Sequence, residues 1–247
     1  MSHLTTVGFH IENDEELKDL LGNAYEKGVP VEAENGLYVH FVDASGAELW
    51  IQVNQEKELV GLNPHFSGKA RIKVGLVNVE EAEDDPMDGG YYAWANPRDL
   101  ESEEEKGDYP FVFDVPDFYT TNYKELPQIR EVQIAAFAQN IDCFESEEEF
   151  FAAQPEDIQM ASSSFIPIGL FEQEEGDMPS SFGLINGHVL EVAEKQNELT
   201  GQSFLWLLVE TLGGTMDLVC SLEVLNDQVV EKGYVIHSVA WLSGRLV

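Results

Sequence analysis

Basic residues are what this chain has least of. Thirteen Lys and Arg stand against 47 Asp and Glu, a net charge of -34 over 247 residues. Neutralised phosphates supply most non-specific nucleic-acid affinity, so ordinary DNA or RNA binding is disfavoured, and the same repulsion acts at anionic membrane surfaces. Cysteine is nearly absent too. Cys143 and Cys220 are far apart and lack CxxC spacing, which points to two reduced thiols and gives little support to zinc or redox chemistry. The most apolar run, "SFLWLLVETLGGTMDLVCS" (203–221), is broken by Glu210 and Asp217, short of the roughly 20 apolar residues that cross a bilayer. "MSHLTTVGFHIENDEEL" has neither a basic leader nor an unbroken apolar core, so no secretory signal is read and a cytoplasmic location is expected. GxSxG, GxxxxGK[ST], GxGxxG and HExxH are all missing, and no cofactor is expected.

What is present describes a folded protein. With 43% hydrophobic and 11% aromatic residues, the chain has enough apolar surface to offset chain entropy despite its charge. The acidity either serves solubility or favours encounter with basic proteins or cations.

Along the chain, "LTTVGFHI" reads as a β-prone run. "NDEELKDLLGNAYEKG" reads as a helix capped by Asn13 or Asp14, with Leu17, Leu20, Leu21 and Ala24 at helical spacing and Gly28 as its stop. "VPVEAENG", "LYVHFVDASG" and "AELWIQVNQ" read as strands joined at Asn35-Gly36 and at Ala44-Ser45-Gly46. The order is βαβββ across about residues 4 to 54, with His10 on the first strand and Glu48 on the last. This order resembles one module of the vicinal oxygen chelate (glyoxalase-like) superfamily. The resemblance implies a divalent metal held by His10 and Glu48 together with ligands from a second module, and hence a metal-dependent enzyme as the alternative reading. The second module does not follow. "EEAEDDPMDGG" contains Pro86 and lacks an apolar helical stripe. Asp85 and Asp88 there suit a hard cation chemically but lack the EF-hand order.

"GGYYAWANP" and "YPFVFDVPDF" flank the acidic loop "DLESEEEKGD" (99–108). Alternation turns some of these rings outward, where aromatic faces beside acids can receive Lys or Arg. The candidate partner-binding residues are therefore Tyr91, Tyr92, Trp94, Glu103, Glu104 and Glu105. "EVQIAAFAQNIDCF" reads as a buried strand, and Ser146 with Glu149 as a capping box. "EQEEGDMPSS" (172–181) is the expected domain boundary. Beyond it, β-rich segments with turns at 197–201, Gly213-Gly214 and Lys232-Gly233 resemble an OB-fold. In the strand from Phe204, both faces are apolar: Phe204, Trp206 and Leu208 are expected to face a core. Leu205, Leu207 and Val209 are expected under the N-terminal domain or a partner.

The combined reading is α+β and predominantly β: an α+β domain over 1–170 followed by an OB-like β-barrel over 178–247. The expected function is that of a cytosolic acidic binding protein with a basic protein partner, in an immunity-like or charge-mimic role.

Overall fold

The computed structural model describes residues 3–81, 87–102, 105–121, 124–155, 157–171 and 179–247. The chain begins with a short helix α1 (His3–Thr6) and then α2 (Asp14–Lys27). The Asn13 side chain accepts from the backbone N–H groups of Glu15 and Glu16, and Gly28 closes the helix by donating to Ala24. The expected first strand does not form. Gly8 adopts a left-handed φ of 81° and its N–H bonds back to Thr5, while Phe9 bonds back to Leu4. Val7 and Phe9 are buried as a turn, and their segment's carbonyls are taken up from the side: Asn197 Nδ2 donates to Val7 and Thr200 Oγ1 to Gly8. His10 therefore lies on an exposed loop, not on a strand.

Four antiparallel strands follow as one sheet: β1 (Val29–Ala33), β2 (Gly36–Val42), β3 (Ala47–Asn54) and β4 (Leu59–Phe66). The expected turns lie between β1 and β2 and between β2 and β3. The fourth strand, which carries Gly61 and Pro64, replaces the missing first one.

The remaining strands form one ten-stranded sheet: β5 (Ile72–Glu81), β6 (Gly89–Ala95), β7 (Pro110–Asp114), β8 (Gln128–Ala138), β9 (Asp142–Phe144), β10 (Ser164–Ile166), β11 (Phe182–Gln196), β12 (Ser203–Thr211), β13 (Gly214–Ser221) and β14 (Val235–Leu246). Helix α3 (Glu147–Ala153) hangs between β9 and β10, with Ser146 Oγ accepting from Glu149 N–H.

The sheet closes on itself. β14 pairs with β11 through residues 235–241 and with β8 through residues 242–246. Its Ser243 also bridges to Asp114 of β7. Two closed rings share the β8–β14 pair: β11-β12-β13-β8-β14 and β8-β5-β6-β7-β14. Their outer circuit is an eight-stranded barrel. Strands from both sides of the boundary expected at 172–181 thus share one sheet. The strand that closes the C-terminal ring, β8, precedes that boundary and pairs in parallel with β13.

One core runs through both rings and includes Tyr91, Phe111, Ile134, Leu205, Leu207, Val209 and Leu218. A second lies between the four-stranded sheet and the barrel, where Phe41 and Phe66 meet Phe204, Trp206, Val219 and Trp241, with Leu208 packed against it. Both faces of β12 are covered, as a doubly apolar strand requires, but the sides are exchanged from expectation. Leu205, Leu207 and Val209 point into the barrel, and the N-terminal sheet covers Phe204, Trp206 and Leu208.

Candidate functional site

The seam between the four-stranded sheet and the barrel holds a connected network of buried polar side chains. Asp217 lies fully buried in the apolar strand β13 and must be partnered there. It accepts from Trp206 Nε1 at 2.8 Å, from the backbone N–H groups of Lys69 and Ala70 at 3.0 and 2.9 Å, and from Gln133 Nε2 at 2.9 Å. That contact orients the Gln133 amide, whose Oε1 then faces His65 Nε2 at 2.8 Å. His65 therefore carries its proton on Nε2, and Nδ1 accepts from the Ser243 hydroxyl at 2.8 Å. Burial lowers the pKa of this imidazole and favours the neutral ring. The chain of bonds ties β4, β8, β13 and β14 together.

Glu48 is 2% exposed on β3, beside this network. Trp50 Nε1 donates to its carboxylate at 3.0 Å, His40 Nε2 lies 3.1 Å away outside hydrogen-bond geometry, and Arg245 Nη1 lies at 3.7 Å. Burial pushes the Glu48 carboxyl upward. The His40 imidazole and the Arg245 guanidinium outweigh burial and hold it at about 2. Arg245 reaches Asp117 at 3.2 Å with its other amino group and stacks over Trp50, on whose ring His40 is also stacked. This arrangement locks the small sheet to β14.

Asp114, at the end of β7, accepts from Ser181 Oγ and Trp241 Nε1, both at 2.5 Å. Burial, which outweighs those two bonds, and the nearby Asp88 charge raise its pKa to about 6. Asp88 itself accepts from Gln52 and Asn63.

The two metal-ligand candidates have different neighbours. His10 pairs with Glu12 at 3.3 Å on the surface, whereas Glu48 faces His40 and Arg245. Among the described residues no group of three or more His, Cys, Asp or Glu is arranged to hold a metal ion. Cys143 and Cys220 have thiols pushed up by burial to about 11 and 12, which suppresses the reactive thiolate.

The aromatic candidates separate by strand alternation. Tyr91 points into the barrel core and bonds Thr121 through its hydroxyl, so it belongs to packing and not to a surface. Tyr92 and Trp94 are half-buried on the outer face of β6, in register with Asn78 and Gly75 of β5. Burial and the neighbouring Glu80 charge both raise the Tyr92 pKa. The loop after β6 folds over Gly75 through Pro97 and Leu100 and is held by Arg98 on Asp108 at 2.5 Å. Glu105 is exposed on that loop, and Glu103 and Glu104 lie outside the described residues.

Sequence reasoning did not single out Arg245, Gln133 or Asp217. The signal for Asp217 is its isolation in an apolar strand, which demands partners without saying which. No family model, curated protein or solved structure matches the chain. Among the described residues no helix is long and apolar enough to cross a membrane.

Proposed function

We propose that the chain is a cytoplasmic acidic binding protein, non-enzymatic, whose partner is a basic protein. The observation that carries this reading is the outer face of β6, where Tyr92 and Trp94 stand half-exposed beside Glu80 and the acidic loop that contains Glu105. Aromatic faces next to carboxylates receive Lys and Arg through combined cation-π and ionic contact. The ring β11-β12-β13-β8-β14 is compatible with an OB-like barrel in which the closing strand comes from earlier in the chain. The face of such a barrel that takes oligonucleotides is made by its second and third strands. In this ring those are β12 and β13, whose Phe204, Trp206 and Val219 lie beneath the N-terminal sheet. That coverage and the net charge of -34 together favour a protein over a nucleic acid.

The test is capture from the native lysate with the intact chain and with a Tyr92→Ser/Trp94→Ser variant, read by mass spectrometry. The expected outcome is a high-pI partner that elutes as salt is raised and is lost from the variant. Capture that is indifferent to the variant, or of nucleic acid alone, overturns the reading.

A further inference from the structure

Helix α2 lies across β2 and β3 with Leu20 and Ala24 against Val39 and Ile51. One helix is about 10 Å wide, whereas four strands spaced about 4.8 Å apart make a broader floor. The apolar row Leu37, Val53 and Leu59, in register across β2, β3 and β4, therefore runs on past the helix. It floors a cleft of about 590 Å³ whose wall carries Leu21 and Tyr25, one helical turn apart. Tyr25 and Leu59 are 56% and 54% exposed. Gly22 lies on the same wall, and a Cβ there would meet nothing within 4 Å. Glycine is the least favourable interior helix residue short of proline, and here it leaves the cleft open where a large side chain would fill it. Two charged residues line the cleft, Glu26 on the helix side and Lys57 on the turn between β3 and β4, and exposed Glu56 and Glu58 on either side of Lys57 leave acids in excess around it.

We propose that this cleft seats an amphipathic helix of a basic partner, its apolar face on the Leu37–Val53–Leu59 row and its Lys and Arg toward Glu26, Glu56 and Glu58. The apolar floor supplies affinity and the excess of acids around it selects a cationic helix over an acidic one. The inference rests on the basic-partner reading and adds a site apart from Tyr92 and Trp94.

The experiment uses the intact chain and a fluorescent Leu/Lys peptide of about four helical turns, with its leucines on one face. A scrambled peptide of the same composition and a Leu/Glu version serve as controls. Binding by anisotropy is expected for the amphipathic Leu/Lys peptide only. Gly22→Trp, which fills the cleft from an open position, should weaken it about tenfold or more, the scale of an interface anchor. Gly22→Ala, whose added Cβ meets nothing within 4 Å, should leave it unchanged, with circular dichroism showing that every variant is folded. Equal affinity for Gly22→Trp overturns the cleft. Equal binding of the scrambled peptide also overturns it, since charge alone then suffices, but spares the basic-partner reading. Failure of every cationic peptide to bind, together with a lysate capture empty of basic proteins, overturns both. A wild-type dimer that Gly22→Trp dissociates in sedimentation assigns the cleft to a second copy instead.

Discussion

Asp114 and Glu48 are both carboxylates set at seams, yet their environments push them in opposite directions. Asp114 has a folded pKa of about 6, above its ordinary 3.8, so folding favours its protonated form. Its contribution to stability is fullest below 3.8 and is lost as pH rises through about 6. Glu48, held at about 2 against an ordinary 4.5, contributes stability above 4.5 that is lost as pH falls toward 2. Urea-unfolding midpoints between pH 2 and 7 should separate the two. Asp114→Asn is expected to flatten the decline between pH 4 and 6 and to leave the protein at least as stable at pH 7. Glu48→Gln should cost about 3 kcal/mol at pH 7, because it removes the buried carboxylate that His40 and Arg245 hold ionised, and should cost little near pH 2. Parallel profiles for wild type and either variant would show that the carboxylate is not the titrating group.

At the scale of elements, the approach of the β4–β5 connection to β13 depends on one glycine. A side chain at Gly68 would occupy the place of the Asp217 carboxylate, which binds the N–H groups of Lys69 and Ala70. Gly68→Ala should displace Asp217 from Gln133 and Trp206 and cost about 2–4 kcal/mol in thermal or urea unfolding, since a buried carboxylate then loses its donors. A change within experimental error would mean that the turn relaxes without moving β13. The same elements show what the sequence makes legible. The caps of α2 and α3 and the hairpin turns around β2, β3, β12 and β13 are local signals, and each forms where the residues place it. The outward turn of Tyr92 and Trp94 follows from alternation alone. The run before α2 fails as a strand because Gly8 bends it and because distant Asn197 and Thr200 satisfy its carbonyls. Trp50 and His40 reach Glu48 from β3 itself and from neighbouring β2, but Gln133, Ser243 and Arg245 come from β8 and β14, and no spacing along the chain brings them to β3 and β4.

For the whole molecule, the sharing of β8 and β14 between two rings bears on the proposed division at residue 178. Residues 178–247 hold β11 to β14 but not β8, so the open edges of β13 and β14 would face solvent in that fragment. Expressed alone, the fragment should aggregate or bind hydrophobic dye far more than the intact chain, and adding residues 126–144 in trans should lower that signal. A soluble, monomeric fragment that excludes dye would establish a separate barrel. The position of β14 also sets the order of events during synthesis. Residues 235–246 are made after β7, β8, β9 and β11, the strands they join. Until they emerge, both rings remain open with pairing edges exposed, the state in which nascent β proteins are most prone to capture one another. The dense negative charge then acts in time as well as in space. It keeps unfinished chains apart through the interval before the last strand closes them.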